Sequence, residues 1–328
     1  MEKTMKLTFV NVGYGEAILL ECPDPRFMGG TFVMLIDGGR GDAEEYADRT
    51  SGRIPLAEYV ALHGLDHIDL MVCTHTHEDH ISGLLPVAQK LTPHRLWQTL
   101  PESFYRELPP LDTALGQNQS QRMFLRALND YVSLCSLVAE RGTVSAMCAG
   151  DTVELCQGLT CRILSPTAQR AAQLMQAHRE LYAQRDTAAF LEKLSALDGK
   201  MNNYSLMLLL NYRGTRILLP GDTNDSGYGD VSPDDLPAHI FKVGHHGQKD
   251  GVAEAQIVKI RPKAVVCCAS SDRRFQSAAP SLMTMLQKNG AALWFSDCPA
   301  VEGVDIPPHH ALTFTVGENG AFAAQYHE

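Results

Sequence analysis

"CTHTHEDHISGL", residues 73–84, decides how this chain is read. Within six residues it places three histidines and an aspartate: His75, His77, Asp79 and His80. The chain has 13 histidines in 328 residues, so a cluster this dense calls for a cause. The stretch follows "HIDLMVCT", an apolar run that reads as a buried strand. Side chains alternate on an extended chain, which puts His75 and His77 on one side, two residues apart. Two imidazoles there can grip one metal ion. Asp79 and His80 lie just past the strand, where the chain turns and presents a second pair. Imidazole nitrogen and carboxylate oxygen suit zinc, manganese or iron, with no cysteine required. The competing explanation is a polar loop with surface histidines, and a cluster of four candidate ligands at one strand end seldom means that.

Two later strand ends carry the same donor types. "RILLPGDT" ends in Gly221-Asp222, and "IFKVGHHGQ" ends in His245-His246-Gly247. Either alone is weak, because Gly-Asp after a strand is usually a turn. The three ends together offer five or six ligands, enough for two metal ions.

The rest of the chain supplies alternating strands and helices. "KLTFVNV" and "AILLEC", joined by "GYGE", read as a hairpin, and "TFVMLIDGG" as a third strand. "IPLAEYVALHG" has helical spacing, as do "ISGLLPVAQKL" and a longer segment over about 111–141. Strand signals return at "TVSAMC", "DTVELC" and "LTCRILSP". Residues 168–200 read as a helical insertion over the rim. Strands resume at "YSLMLLLNY", "RILLPGD", "HIFKVG" and "AVVCCAS", with helices at 252–260 and 280–289 and a closing pair, "AALWFS" and "ALTFTV". No low-complexity linker divides the chain. The pattern predicts one α/β domain over residues 1–328, with two stacked sheets and helices outside.

Composition narrows the partners. The net charge of −10 repels nucleic-acid backbone unless a local basic patch overrides it, and no run of Lys and Arg makes one. Arg213, Arg216, Lys242 and Lys249, near the later ligands in sequence, are read as a small basic rim. "MEKTMKLTFV" lacks the apolar core of a signal peptide, and stretches such as "SLMLLL" are too short to span a bilayer. Nine scattered cysteines, with no Cys-x-x-Cys, suit reduced thiols. The expectation is a cytoplasmic protein with no membrane contact.

"HTHEDH" matches the His-x-His-x-Asp-His signature of the metallo-β-lactamase superfamily. "FVNVGYGEAILLECP", "MLIDGG", "HEDHISGL", "AGDTVELCQGLTCRILSP", "NNYSLMLLLNYRGTRILLPGD" and "FKVGHHG", in that order, resemble the soluble hydrolase domain of ComEC-type competence proteins over nearly the whole chain. The resemblance implies a four-layer αβ/βα sandwich of two mixed sheets. It implies a hydrolase with two divalent ions, zinc or manganese, that works through a metal-bound hydroxide. His75 and His77 would hold the first ion, Asp79 and His80 the second, and Asp222 would bridge them. One of His245 and His246 would complete the second site and the other would touch substrate. Strand alternation does not choose between them; the reading taken is His246 as ligand and His245 as substrate contact. Asp79 would also orient the nucleophile. Asp37 in "LIDGG" would support the ligand loop without binding metal. A small or short phosphodiester is the expected substrate, with a lactone, thioester or other acyl compound as the alternative, or a metal-binding scaffold without turnover.

The chain departs from that family at three places. Asn202-Asn203-Tyr204-Ser205 stands where most members supply a third histidine to the first metal, so that site is expected to be weak. Tyr14-Gly15-Glu16 replaces a frequent Gln-Gly-Asp. Ala278 and Ala279 stand where a histidine often precedes the proline that matches Pro280.

Overall fold

The computed structural model describes residues 4–328; the first three residues of the expected domain and of "MEKTMKLTFV" lie outside the described residues. Strand β1 (Met5–Val10) pairs antiparallel with β2 (Ile18–Pro23), and β2 with β3 (Thr31–Ile36). Helix α1 (Leu56–Leu62) leads to β4 (Leu70–Val72), which runs parallel to β3. Two short helices follow, α2 (Glu78–Ile81) and α3 (Leu84–Lys90). Strand β5 (Arg95–Gln98), helix α4 (Glu102–Tyr105), the long α5 (Gln119–Ala139) and strand β6 (Thr143–Ala146) complete the first half.

The second half opens with β7 (Thr152–Cys156) and β8 (Leu159–Ser165). Helices α6 (Ala168–Tyr182) and α7 (Thr187–Asp198) then form the helical arm. Strands β9 (Met207–Tyr212), β10 (Thr215–Leu219) and β11 (Ile240–Lys242) follow, then α8 (Glu254–Ile260) and β12 (Ala264–Cys267). Helix α9 (Pro280–Lys288), β13 (Ala292–Phe295), β14 (Ala311–Val316) and β15 (Phe322–His327) end the chain. One sheet has the order β15-β14-β1-β2-β3-β4-β5-β6, and the other β13-β12-β11-β10-β9-β8-β7.

The strands explain the layering. In β3, Phe32, Met34 and Ile36 point into the core between the sheets, while Val33 and Leu35 pack under the helices. In β9, Leu208 and Leu210 face the first sheet, and Met207 and Leu209 face outward. Strands buried on both faces read as unbroken apolar runs, which is what "FVMLI" and "LMLLL" are. Helices α1, α3, α5 and α7 cover the first sheet, and α8 and α9 the second. The result is four layers, helix–sheet–sheet–helix, as expected.

Three details differ from the sequence reading. The helix expected from about 111 starts at Gln119, where Asn118 caps it by accepting from the Gln121 N–H. "AALWFS" and "ALTFTV" are not partners: β13 pairs with β12 in one sheet and β14 with β1 in the other. Strand β15 escaped notice because its half-buried edge, "FAAQYH", alternates small and polar residues. All nine cysteines are free. Among the described residues, no helix is long and apolar enough to cross a membrane.

Candidate metal centre

Three short strands deliver the donors. Strand β4 runs into residues 73–77 and helix α2, β10 into Gly221-Asp222, and β11 into His245-His246. Gly83 lets the first loop close: a Cβ there would lie 1.8 Å from the Gly38 carbonyl oxygen, so only glycine allows that approach.

Asp79, His80, Asp222 and His246 form one buried cluster whose ligand atoms all lie within 4.8 Å of one another. His246 Nε2 is 3.0 Å from Asp79 Oδ2 and 2.9 Å from Asp222 Oδ2. His80 Nε2 is 3.3 Å from Asp222 Oδ2 and 3.4 Å from His246 Nε2. The other ring nitrogens are occupied. His80 Nδ1 donates to Asp37 Oδ2 at 2.7 Å, and His246 Nδ1 to the Cys268 carbonyl at 2.9 Å. When the rings are neutral, both Nε2 atoms therefore present lone pairs into the cluster.

His75 and His77 repeat this arrangement beside it. Their Nε2 and Nδ1 atoms are 3.1 Å apart. His75 Nδ1 meets the Thr74 and Ser205 hydroxyls at 3.1 and 3.2 Å, and His77 Nε2 donates to Asp198 Oδ1 at 3.1 Å. The Thr74 hydroxyl gives its proton to Asp37, and the Ser205 hydroxyl, which accepts from the Asp222 N–H, has its own proton to share with His75 Nδ1. Two nitrogens bound to one tetrahedral ion at about 2.0–2.1 Å sit about 3.3 Å apart. Both imidazole pairs have close to that spacing, and the His80–His246 pair carries no proton between its nitrogens when both rings are neutral. A cation fits both places. The two sites are unequal: among the described residues, no third His, Cys, Asp or Glu atom lies within 4.8 Å of both His75 and His77 donors. Asn202 Oδ1, in the segment that replaces the third histidine, is buried without a hydrogen-bond partner.

The electrostatics say the same. Burial pulls the His246 imidazolium down, but Asp222 and Asp79 outweigh it and push the pKa up to about 9. His80 moves up for the same reasons. Burial would raise the Asp79 carboxyl, yet His80 and His246 carry it well below the usual range. His75 goes down, through burial and then the neighbouring His80 and His77. Burial opposes the Asp222 carboxylate and the His77 imidazolium too, yet His246 and His80 hold Asp222 well below the usual range and Asp198 moves His77 up. Five of these six groups therefore attract positive charge, His75 being the exception.

Not every expected residue joins the cluster. His245 turns away, its Nδ1 2.9 Å from Asp250 Oδ1. Both His245 and His246 hold left-handed backbone, φ 50° and 51°, which is strained for residues with a Cβ and is typical of constrained sites. Asp37 acts as the sequence suggested: it accepts from the Thr74 N–H, the Thr74 hydroxyl and His80. Of the four residues read as a basic rim, Lys242 is not on the surface, and Arg213 and Arg216 are engaged by other groups. Lys242 is fully buried, salt-bridged to Glu16 and 3.2 Å from Asp222 Oδ1. Burial opposes its charge, and Glu16 and Asp222 outweigh burial to keep it an ammonium. Arg213 lies on the β9–β10 turn, paired with Glu318, and Arg216 donates to the Asp234 and Asp235 carbonyls. Lys242 was misread because both its partners come from distant segments. Asp198 and Ser205 were missed, and no spacing announces them.

No family model matches the chain. It is similar to ComE operon protein 3 of Bacillus subtilis (strain 168), 22% identical over 301 residues. The match covers 89% of this chain and 32% of that protein, so the chain spans about a third of the relative's length. Among solved structures, it overlaps Zn(2+)-bound PqqB from Methylobacterium extorquens with 11% identity and a TM-score of 0.44, covering 86% of this chain and 85% of that one. A new diphosphatase from the PhnP family gives 12% and 0.43, covering 93% and 100%. A metallo-β-lactamase of Cronobacter sakazakii gives 13% and 0.39, covering 86% and 88%. Two mixed sheets face to face, with His-x-His-x-Asp-His after β4, Asp222 after β10 and His246 after β11, decide the architecture. It is the metallo-β-lactamase fold. In this metallo-β-lactamase fold a cleft of about 870 Å³ lies beside the donor set: its wall holds Glu78, next to Asp79 in the chain, Asp198, which accepts from His77, and Phe275, while the donors themselves lie behind that wall.

Proposed function

We propose that this chain is a metal-dependent hydrolase of a small phosphodiester. The observation that carries the reading is the two pairs of facing imidazole nitrogens, one of them in a buried cluster with the Asp79 and Asp222 carboxylates. Asp79, His80, Asp222 and His246 would hold one divalent ion, zinc or manganese, and His75 with His77 a weaker second. Such ions make water acidic enough to ionise near neutral pH and absorb the charge that develops on a substrate oxygen. Lys242 ties up Asp222 Oδ1 and leaves Oδ2 for the metal side. Asp37 and Asp198 fix the tautomers of His80 and His77. His245, partly exposed and held by Asp250, would meet substrate rather than metal.

The cleft wall carries four arginines against five carboxylates. Arginine favours an anionic ester, and the balance of charge disfavours a long polyanion.

The test is metal analysis of the purified protein, followed by assays with bis-p-nitrophenyl phosphate, a lactone and a thioester in Mn²⁺ or Zn²⁺. Diester turnover above the other two is expected. Asp222→Asn should stay folded and lose nearly all of it. Turnover confined to the lactone or thioester would replace the substrate class. A metal-loaded chain inactive on all three would leave a binding scaffold.

A further inference from the structure

We propose that Phe275, backed by Tyr14, is a stacking platform beside the candidate metal centre, and that the diester this chain cleaves carries a flat aromatic group. The reaction rests on the hydrolase reading above; what is added is the part of the substrate that is recognised.

Phe275 is 59% exposed, one of few large apolar side chains left in water, and it lines the cleft. Tyr14 beneath it is only 6% exposed. The Tyr14 ring lies 4.6 Å from the His246 ring on one side and 5.0 Å from Phe275 on the other. A run of ring contacts, tilted at 45° and then edge-on at 60°, therefore leads from a proposed ligand to the exposed Phe275 ring. Both residues sit by the places where the chain departs from its family, Tyr14 in the first loop and Phe275 just before Ala278-Ala279.

The platform is held rigid. Arg273, Phe275, Gln276 and Ala278 have φ of 50°, 52°, 61° and 46°, four strained positions within six residues and none a glycine. Arg274 pins this loop to the buried Glu45 carboxylate. Glu45 also accepts from the Tyr14 backbone N–H at 3.0 Å and from Arg53. One carboxylate thus fixes both segments that carry the rings. Asp297 anchors the start of the same loop by accepting from the Ser271 N–H at 2.7 Å.

A fixed, exposed aromatic face recognises another flat ring, with little regard for which ring it is. The near balance of arginines and carboxylates in the cleft suits one such ring on a small ester. Arg122 remains to meet an anion: its side chain donates to the Gly116 carbonyl, and among the described residues no carboxylate pairs with it.

Two diesters whose shared leaving group carries no ring test this, benzyl 2,2,2-trifluoroethyl phosphate and methyl 2,2,2-trifluoroethyl phosphate, with release of trifluoroethanol followed. The ratio of their kcat/KM values should fall roughly tenfold in Phe275→Ala and survive in Phe275→Trp, the size expected for one lost stacking contact. An unchanged ratio in Phe275→Ala overturns the platform and leaves the hydrolase standing. Calorimetry with phenylphosphonate and methylphosphonate on the metal-loaded protein separates the two ideas. If neither diester is cleaved but phenylphosphonate still binds more tightly than methylphosphonate, and only with Phe275 present, the platform holds and the diesterase fails. If neither is cleaved and the two phosphonates bind alike, both fall.

Discussion

His80 and Lys242 show how individual side chains carry this molecule. His80 has one nitrogen on Asp37 and the other in the donor cluster, so its replacement removes a ligand and leaves Asp37 short of a partner. His80→Gln should therefore lose metal by elemental analysis, whereas the equally buried His178→Gln should keep it. Lys242 lies between the Glu16 and Asp222 carboxylates and, among the described residues, is the side chain that Glu16 salt-bridges to. Lys242→Met should destabilise the metal-free protein by about 3–5 kcal/mol, the cost of leaving buried charge uncompensated. Adding Glu16→Gln to that variant should restore part of the loss in urea denaturation. If the double variant is no more stable than the single, Lys242 acts through packing instead. The donors were legible in the sequence because four of them sit within six residues. The groups that orient them were not. Asp198 lies 121 residues from His77, and Ser205 lies 130 from His75, so only the fold brings them together.

Among the elements, α6 carries a pH-sensitive contact. His178 sits on its buried face, edge-on to Phe104, with Nδ1 on the Leu174 carbonyl and Nε2 without a partner. Burial holds its pKa down at about 4. The unfolded chain takes up this proton first, near the ordinary value of about 6.5. The contribution of the neutral ring is thus complete above about pH 6.5, falls as pH drops toward 4, and levels off below. Over that window on the order of 3 kcal/mol should be lost, and His178→Leu should flatten this part of the stability profile measured by denaturant titration. Equal slopes in the two proteins would assign the acid sensitivity to other groups. The strands and helices themselves were largely legible, because buried runs such as "FVMLI" leave few alternatives. Where one element ends and which strand it joins were not: β13 and β14 look alike in sequence and lie in different sheets.

At the scale of the whole molecule, one apolar core fills the space between the sheets, and the donors come from both. A single cooperative thermal transition is expected for residues 1–328. Zn²⁺ or Mn²⁺ at a hundred times its Kd should add about 2.7 kcal/mol and raise Tm without splitting the transition. Two separate transitions would mean that the halves fold as independent domains. The sandwich was legible from the alternation of strands and helices, yet its closure was not. The β1–β14 pairing joins Met5 to Val316, and the Thr8 and Thr313 hydroxyls meet at 2.9 Å across 305 positions of sequence. That pairing has a consequence for synthesis. At roughly 5–20 residues per second, a ribosome needs roughly 15–60 s after making β1 before β14 exists. For that time one flank of β1 is an open edge, able to recruit any passing strand. The nascent chain must be shielded there, by the ribosome or a chaperone, until its last tenth emerges.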